Sequence, residues 1–470
     1  MKINRSGASL EPVGEVQNQQ AANGRRSRKD VEQNSDFVNE RRRKAPTWRR
    51  DSVCLNAMCA PAPERLPNNS EEKVAMKEAL TSEGTSGRVI GLDLHPDVFS
   101  AAALAGRDAA TARVEQQWDR WSTGLLEQWA RTLRSGDLVV VEASGNTFDA
   151  AQRLGACGVM TVVLESQRAG QIRTAYCMND RVDAVKLARV YLSGLALTVW
   201  QPDLQTRERR EVLHCYRTAV ADATRARNRL KSFLSDHGVR LPPGVRLTQA
   251  SGERQVRAAQ RWSERQSQLL DGFLSSLQQA EEKRKRLTAL MAREVAQDPK
   301  LLRLLRLLGV RHIIAYAFAA VVGDIGRFPN PKKLVAYLGL APRVETSGNQ
   351  PRGPESLVRF GRGDLRALLV QAAQNALRQK RSPLHTWGWK LQLRKSHKNV
   401  AVIAIARKLA VSAWYCMRDL LVAPAKLEST IEVKLRKVAT AIGLKTLRQW
   451  GYPTAKAFVE EKTGYLLQRT

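Results

Sequence analysis

From Arg88 onward, short apolar runs alternate with polar stretches, and the repeat of the pattern changes along the chain. Val89-Ile90-Gly91-Leu92-Asp93-Leu94 predicts a strand, Val98 to Leu104 its hairpin partner, and Ala112 to Gln116 a third short strand. Trp121, Leu125, Leu126, Trp129 and Leu133 fall at helical spacing and predict an amphipathic helix over 120–134, ahead of the run Leu138-Val139-Val140-Val141. A helix over 147–156 and an apolar run from Val159 to Leu164 follow. Strands first paired by a hairpin and then alternating with helices predict a mixed α/β sheet over 87–200.

Residues 201–298 read differently: charged, nearly free of proline apart from Pro242-Pro243, and rich in Arg, Gln, Glu, Ala and Leu. They predict a long helical hairpin. In its second arm Leu270, Phe273, Leu277, Ala280, Leu287 and Met291 step by three and four, broken at Arg284, which is coiled-coil spacing. These side chains face either the first arm or a second copy of the chain. Residues 299–425 predict a mostly helical unit with apolar stripes over 301–308, 312–323, 331–338, 363–379 and 398–420, and a Gly- and Pro-rich loop from Leu340 to Gly361. The tail 426–470 predicts two small helices around Pro453. Residues 1–86 lack hydrophobic periodicity and carry Arg41-Arg42-Arg43-Lys44, so they predict a disordered basic arm, or upstream sequence with Met58 or Met76 as the start.

Charge narrows the class. With 77 Lys and Arg against 45 Asp and Glu, the 470 residues carry a formal charge of +32, which favours a polyanionic partner. The six cysteines, Cys54, Cys59, Cys157, Cys177, Cys215 and Cys416, form no zinc-spaced set and fit a reducing compartment. There is no secretory h-region, and the longest apolar run, Ile313 to Val322, is too short to span a bilayer, so a soluble protein is expected.

Four acids stand out. Asp93 interrupts an apolar strand on the face opposite Ile90, Leu92 and Leu94; Glu142 ends the next strong strand; Asp180 and Asp183 share one face of the following helix. A buried carboxylate is costly unless paired, hydrated or bound to a cation. Gathered together, the four offer hard oxygen ligands for two Mg²⁺ ions, which about 3.5 to 4 Å apart activate a nucleophile and neutralise a leaving oxygen in phosphodiester cleavage. Taken singly, Asp180 and Asp183 also suit a helix first turn, and Glu142 a solvated strand end.

The strings Gly91-Leu92-Asp93-Leu94-His95, Val140-Val141-Glu142-Ala143-Ser144-Gly145 and Asn179-Asp180-Arg181-Val182-Asp183 resemble, in order, the three acidic motifs of the insertion-sequence one-hundred-ten family of DEDD transposases. Gly323-Asp324-Ile325-Gly326-Arg327-Phe328-Pro329, the segment Pro331 to Pro342 and Thr346-Ser347-Gly348 are similar to that family's second domain. The resemblance covers roughly 88–420. It implies a RuvC-like, RNase H-fold domain with Asp93, Glu142, Asp180 and Asp183 as metal ligands, and Ser347 as the nucleophile that links covalently to DNA. It further implies donor and target DNA as substrates, a structured bridge RNA encoded in the element as guide, a homo-oligomer, and a bacterial cytoplasmic, nucleoid-associated location.

On chemistry alone a loop serine with no neighbouring base is usually a turn residue, so a Ser347 nucleophile requires the acidic domain's metal alongside it, within one chain or across a dimer. Around it Arg343, Arg352, Arg359, Arg362 and Arg366 form a candidate strand-binding lip, since guanidinium groups match phosphates bidentately. Trp387 and Trp389, among Lys380, Arg381, Lys390 and Arg394, are candidates for stacking on unpaired bases or for helix packing. Leu308-Gly309-Val310 resembles the opening of a helix-hairpin-helix, but Arg311-His312 stand where the family commonly has a second glycine. No motif for a nucleotide cofactor stands out. The expected architecture is an α/β RNase H-like domain, a helical hairpin or coiled coil, and a helical domain with the serine loop. The expected activity is DNA strand cleavage and transfer. Rival readings are a RuvC-like junction nuclease that uses water, and a nonenzymatic nucleic-acid-binding protein.

Overall fold

The computed structural model describes residues 87–166, 180–342, 346–347, 350–351, 357–358, 361–380, 382–395, 397–420 and 428–468. The basic arm over 1–86, Arg343, Arg352, Arg359, and the side chains of Asp180 and Ser347 lie outside what is described.

A five-stranded mixed sheet opens the described chain. β1 (Val89–Leu94), β2 (Val98–Ala105) and β3 (Arg113–Ser122) form an antiparallel meander, and β4 (Leu138–Glu142) and β5 (Met160–Leu164) add parallel strands on the other side of β1. The spatial order is β3-β2-β1-β4-β5. One face, with Ile90, Leu92, Val139 and Val141, packs on Trp118, on Trp129 of α1 (Leu126–Ala130) and on Ala150, Ala151 and Leu154 of α2 (Thr147–Ala156). The other face, with Val89, Leu138 and Val140, packs on Ala184, Leu187 and Ala188 of α3 (Asp180–Leu192). With both faces covered, β1 and β4 read as apolar runs up to Asp93 and Glu142 rather than alternating.

The helix expected over 120–134 is shorter than its spacing suggests, because the strand extends into its start. β3 runs to Ser122, because Phe99 pairs with Trp121 and Val98 with Ser122; a short 3₁₀ turn then leads into the five-residue α1. Cross-strand pairing has overridden the local helical spacing. At the opposite end of the sheet, Arg88 holds Asp137 by two side-chain bonds, Nη2 to Oδ2 at 2.7 Å and Nε to Oδ1 at 3.1 Å. Both residues are at most 5% exposed. Burial pushes the Asp137 carboxyl up, but the bonds from Arg88 and the Arg134 amide outweigh it and hold it below the usual carboxylate range. Removing one partner of such a buried pair costs about 3–5 kcal/mol.

After α3 the chain returns along β5 through a single antiparallel bridge, Leu164 to Thr198, and enters two long helices, α4 (Leu204–Asp236) and α6 (Glu264–Gln297), with α5 (Ala250–Ala258) at their turn. Leu230, Phe233 and Leu234 of α4 bury against Leu270, Leu274 and Leu277 of α6. Ser263 caps α6 through a reciprocal bond pair with Gln266.

The remaining helices form one apolar body: α7 (Pro299–Leu304), α8 (His312–Val322), α9 (Pro331–Tyr337), α10 (Gly363–Arg378), α11 (Pro383–Lys395), α12 (Lys398–Met417), α13 (Glu428–Ile442), α14 (Leu444–Gln449) and α15 (Ala455–Gln468). α12 is long and apolar enough to cross a membrane, yet Val402, Ile405, Ala406, Leu409 and Ala413 are buried in this core. The tail holds three helices rather than two, and Ile431, Leu435, Val438 and Phe458 bury in the same core as Leu301 and Leu305. Lys434 of α13 donates to the carbonyls of Leu305 and Leu307, both at 2.6 Å, and its burial pushes the ammonium pKa down to about 7.

Trp200 joins the sheet to this body. Its ring occupies the space a Cβ at Gly323 would need, 2.4 Å away, and Arg327 stacks over Trp200 at 4.2 Å, Phe328 at 4.3 Å and Tyr337 at 4.5 Å. Arg210 of α4 donates to the Ala320 carbonyl at 2.9 Å, satisfying the end of α8.

His312, at the first position of α8, is 7% exposed, and neither ring nitrogen has a hydrogen-bond partner among the described residues. Burial, with the Arg311 charge, pushes its pKa down to about 4. The imidazole is therefore neutral in the folded chain and takes a proton more readily when unfolded. Its stability contribution is complete above about pH 6.5 and falls as pH drops towards 4, by about 3 kcal/mol. Urea unfolding of the helical body between pH 7.5 and 4.5 should show this loss, and His312→Leu should flatten the slope over that interval.

Candidate active site

The acids sit where the topology brings strand ends together. Leu92 pairs with Val141 across the parallel β1–β4 ladder, so Asp93 and Glu142 are the next positions on the two adjoining strands. In each strand they continue the series that faces α3: Val89 and Gly91 before Asp93, Leu138 and Val140 before Glu142. α3 carries Asp180 at its first position and Asp183 one turn in.

Gly91 decides how close α3 lies. A Cβ there would stand 1.8 Å from the Ala184 carbonyl oxygen and 2.9 Å from the Ala188 amide. The backbone of α3 therefore rests directly on β1, two residues before Asp93, with Asp183 adjacent in sequence to the point of contact. Any other residue at 91 would lift the acidic end of α3 away from the sheet.

Hydrogen bonds fix the loops that follow these strands. Thr147, fully buried, donates to the Glu142 carbonyl at 2.6 Å and accepts from the Ser144 amide at 2.9 Å. Asn146 donates to the His95 carbonyl at 3.1 Å, tying the loop after β4 to the loop after β1. Two basic side chains lie beside the acids: His95 Nε2 is 3.6 Å from Asp93 Oδ2, and Lys186 Nζ donates to Asp183 Oδ1 at 3.2 Å. Among the described residues no group of three or more His, Cys, Asp or Glu is close enough to hold a metal ion. The Asp180 side chain lies outside that description. As a donor set, adjoining carboxylates on one face of the sheet, with Asp183 against the same strand, suit a hard divalent cation, which would compete with His95 and Lys186 for them.

Ser347 ends the two-residue strand β6 (Thr346–Ser347), paired with Gln350 of β7 (Gln350–Pro351). The base of this loop is pinned. Pro342 bridges to Leu357, Arg366 donates to the carbonyls of Gly339 and Val358, both at 3.2 Å, and Arg407 donates to the Leu340 carbonyl. Of the predicted lip, Arg362 is paired with Asp364 at 2.7 Å and Arg366 is bonded as described; Arg343, Arg352 and Arg359 lie outside the described residues. Gly309 adopts φ +77°, and a Cβ there would meet the Ala372 carbonyl at 2.5 Å, so this turn packs on α10. Gly91, Lys186, Arg366 and Arg407 were not singled out for these roles in the sequence. The Gly91-x-Asp93 spacing carried a usable signal for the first, and nothing local announces the arginines.

Comparison with known proteins agrees with the helical body first. A family model described as Transposase IS116/IS110/IS902 family matches residues 302–387. Over that segment the chain is similar to the IS116/IS110/IS902 transposases. It is 29% identical over 252 residues to the transposase for insertion sequence element IS1328 of Yersinia enterocolitica, covering 50% of this chain and 70% of that one. It is 24% identical over 338 residues to the transposase for insertion sequence element IS1111A of Coxiella burnetii, covering 70% and 88%. The Sinorhizobium fredii sequence y4qE is 27% identical over 264 residues, a match that spans 51% of this chain and 65% of that relative.

The close approach at Gly91 is testable. Gly91→Ala should destabilise the sheet domain by at least about 2 kcal/mol through overpacking, read as a lowered melting temperature by circular dichroism. Gly145→Ala, where a Cβ meets nothing within 4 Å, should stay within about 0.5 kcal/mol.

Proposed function

We propose that this chain is the transposase of an insertion sequence, cleaving and rejoining DNA strands with an acidic metal site and a serine nucleophile. The observation that carries this is the seating of α3 on Gly91, which holds the start of α3, with Asp183, against the strand that carries Asp93, while Glu142 ends the adjoining strand on the same face. The relatives named above, described as insertion-sequence transposases, support it. So does the strand order β3-β2-β1-β4-β5 with its antiparallel meander and parallel edge, which suits an RNase H-like, RuvC-type domain.

In this reading Asp93, Glu142, Asp180 and Asp183 hold two Mg²⁺ ions, which when bound lower a hydroxyl's pKa and stabilise a departing oxygen. The chain's own groups do the rest. The pinned base of the loop presents Ser347, whose Oγ attacks the phosphorus of the scissile phosphodiester, displaces a deoxyribose oxygen and leaves a phosphoserine link. Attack by a hydroxyl of the partner strand reverses the step. The domains meet within one chain or across two copies. The formal charge of +32 serves the DNA backbones and a structured guide RNA encoded by the element, which chooses the sequence by base pairing.

Two variants decide the chemistry. With Mg²⁺, donor and target DNA and the element's RNA, Asp93→Asn should lower strand cleavage by at least about 100-fold, as expected for loss of a metal ligand. Ser347→Ala should abolish the DNA-linked species that survives denaturation. A covalent species persisting in Ser347→Ala would overturn the serine assignment and favour hydrolysis by water.

A further inference from the structure

Between Asp364 and Asp419 the chain has no Asp or Glu, while eleven Lys and Arg residues fall in that interval. The centre of this stretch is α11 (Pro383–Lys395), which docks on α10 and α12 by one side only. Gly388 marks that side: a Cβ there would meet Ile405 Cδ1 at 2.6 Å and Leu377 Cδ1 at 3.0 Å. Leu384 and Trp387 flank it, packed on the core, and Lys408 Nζ sits 4.6 Å above the Trp387 ring. With the rotation of the helix fixed, the advance of 100° per residue turns Trp389, Lys390 and Leu393 away from the core, with Arg394 beside them. Trp389 is 51% exposed and Leu393 60%. Lys390 and Arg394 are exposed as well.

An indole and a leucine one turn apart, bare to water and bordered by cations, are not explained by the core. The helices against which α11 packs carry no acid other than Asp364, which Arg362 already holds at 2.7 Å. A protein partner could cover the apolar pair, but this field favours an anion. Two apolar side chains are too narrow a face for a bilayer, which needs a continuous apolar stripe. An unpaired nucleotide supplies both halves, a flat base for the indole and a phosphate for the neighbouring cations. We infer that the outer face of α11 is a platform for a single-stranded segment of nucleic acid, with Trp389 stacking on a base and Lys390 and Arg394 holding adjoining phosphates. This rests on the nucleic-acid partners of the proposed function and not on its strand-transfer chemistry.

The test uses the full-length protein and fluorescence anisotropy with labelled oligo-U RNA, oligo-dT DNA and a duplex, each about 20 nucleotides long to exceed the site of a single strand-binding module. Trp389→Ala should weaken single-strand binding about tenfold, the scale of one lost base stack, and leave duplex binding within about twofold. Trp389→Phe should stay within about threefold of the parent, because the stacking face remains. A loss confined to RNA or to DNA assigns the platform to that strand. Unchanged single-strand affinity in Trp389→Ala, an equal loss on duplex, or a drop to a smaller oligomer in sedimentation would overturn the inference, the last by giving this face to a second copy. Failure of the Asp93→Asn prediction leaves the platform untouched. Unchanged binding in Trp389→Ala leaves the cleavage chemistry untouched.

Discussion

The arrangement of this protein depends on one contact between backbones: α3 lying on β1 at Gly91, closer than any side chain would permit. A helix crossing a sheet normally stands off by the depth of an intervening layer of side chains. Here the layer is missing at one point, so the helix that carries Asp180 and Asp183 descends to the strand that carries Asp93. The neighbouring Ala184 and Ala188, both fully buried, keep the helix side of the contact equally thin. Placing like charges near one another is unfavourable, and packing at Gly91, Ala184, Leu187 and Ala188 supplies the opposing free energy. Lys186, paired with Asp183 at 3.2 Å, relieves part of the repulsion.

The second half of the candidate site uses a different device. The described ends of the serine loop are held by arginines from the helices behind it, Arg366 from α10 and Arg407 from α12. Guanidinium groups bonded to main-chain carbonyls hold the entry and exit of the loop. The Trp200, Arg327 and Tyr337 stack, with Arg210 capping α8, gives the connection between sheet and helical body a defined geometry. A rigid joint of this kind suits a reaction whose groups come from two domains.

Much of the sheet could be read from sequence because buried strands announce themselves as apolar runs: β1, β4 and β5 lie where those runs lie. The strand at 113–122 was harder, since Trp121 also falls at helical spacing with Leu125 and Trp129, and only pairing with β2 chooses between the two. α11 is hard to read because Trp387, Gly388 and Trp389 interrupt any simple amphipathic pattern; helices in the tail could be read, but not their burial, because their apolar positions complete a core built mainly from residues more than a hundred positions earlier. In the site, Asp93 and Glu142 could be picked out as acids at the ends of apolar strands. That they lie on adjoining strands follows from the crossover that places β4 beside β1, which no local spacing encodes. Charge alone also did not show that Arg362 and Arg366 bond within the chain, to Asp364 and to the carbonyls of Gly339 and Val358.

In the proposed site, acids distant in the chain gather around a pair of divalent ions. Replacing magnesium by Fe²⁺ and adding ascorbate cuts a polypeptide backbone close to the bound metal, so the fragments report which residues surround it. The account predicts cuts near Asp93, near Glu142 and within 180–183, all three appearing together and all lost in Asp93→Asn. Cuts at only one of these segments, or a pattern unchanged by Asp93→Asn, would contradict it.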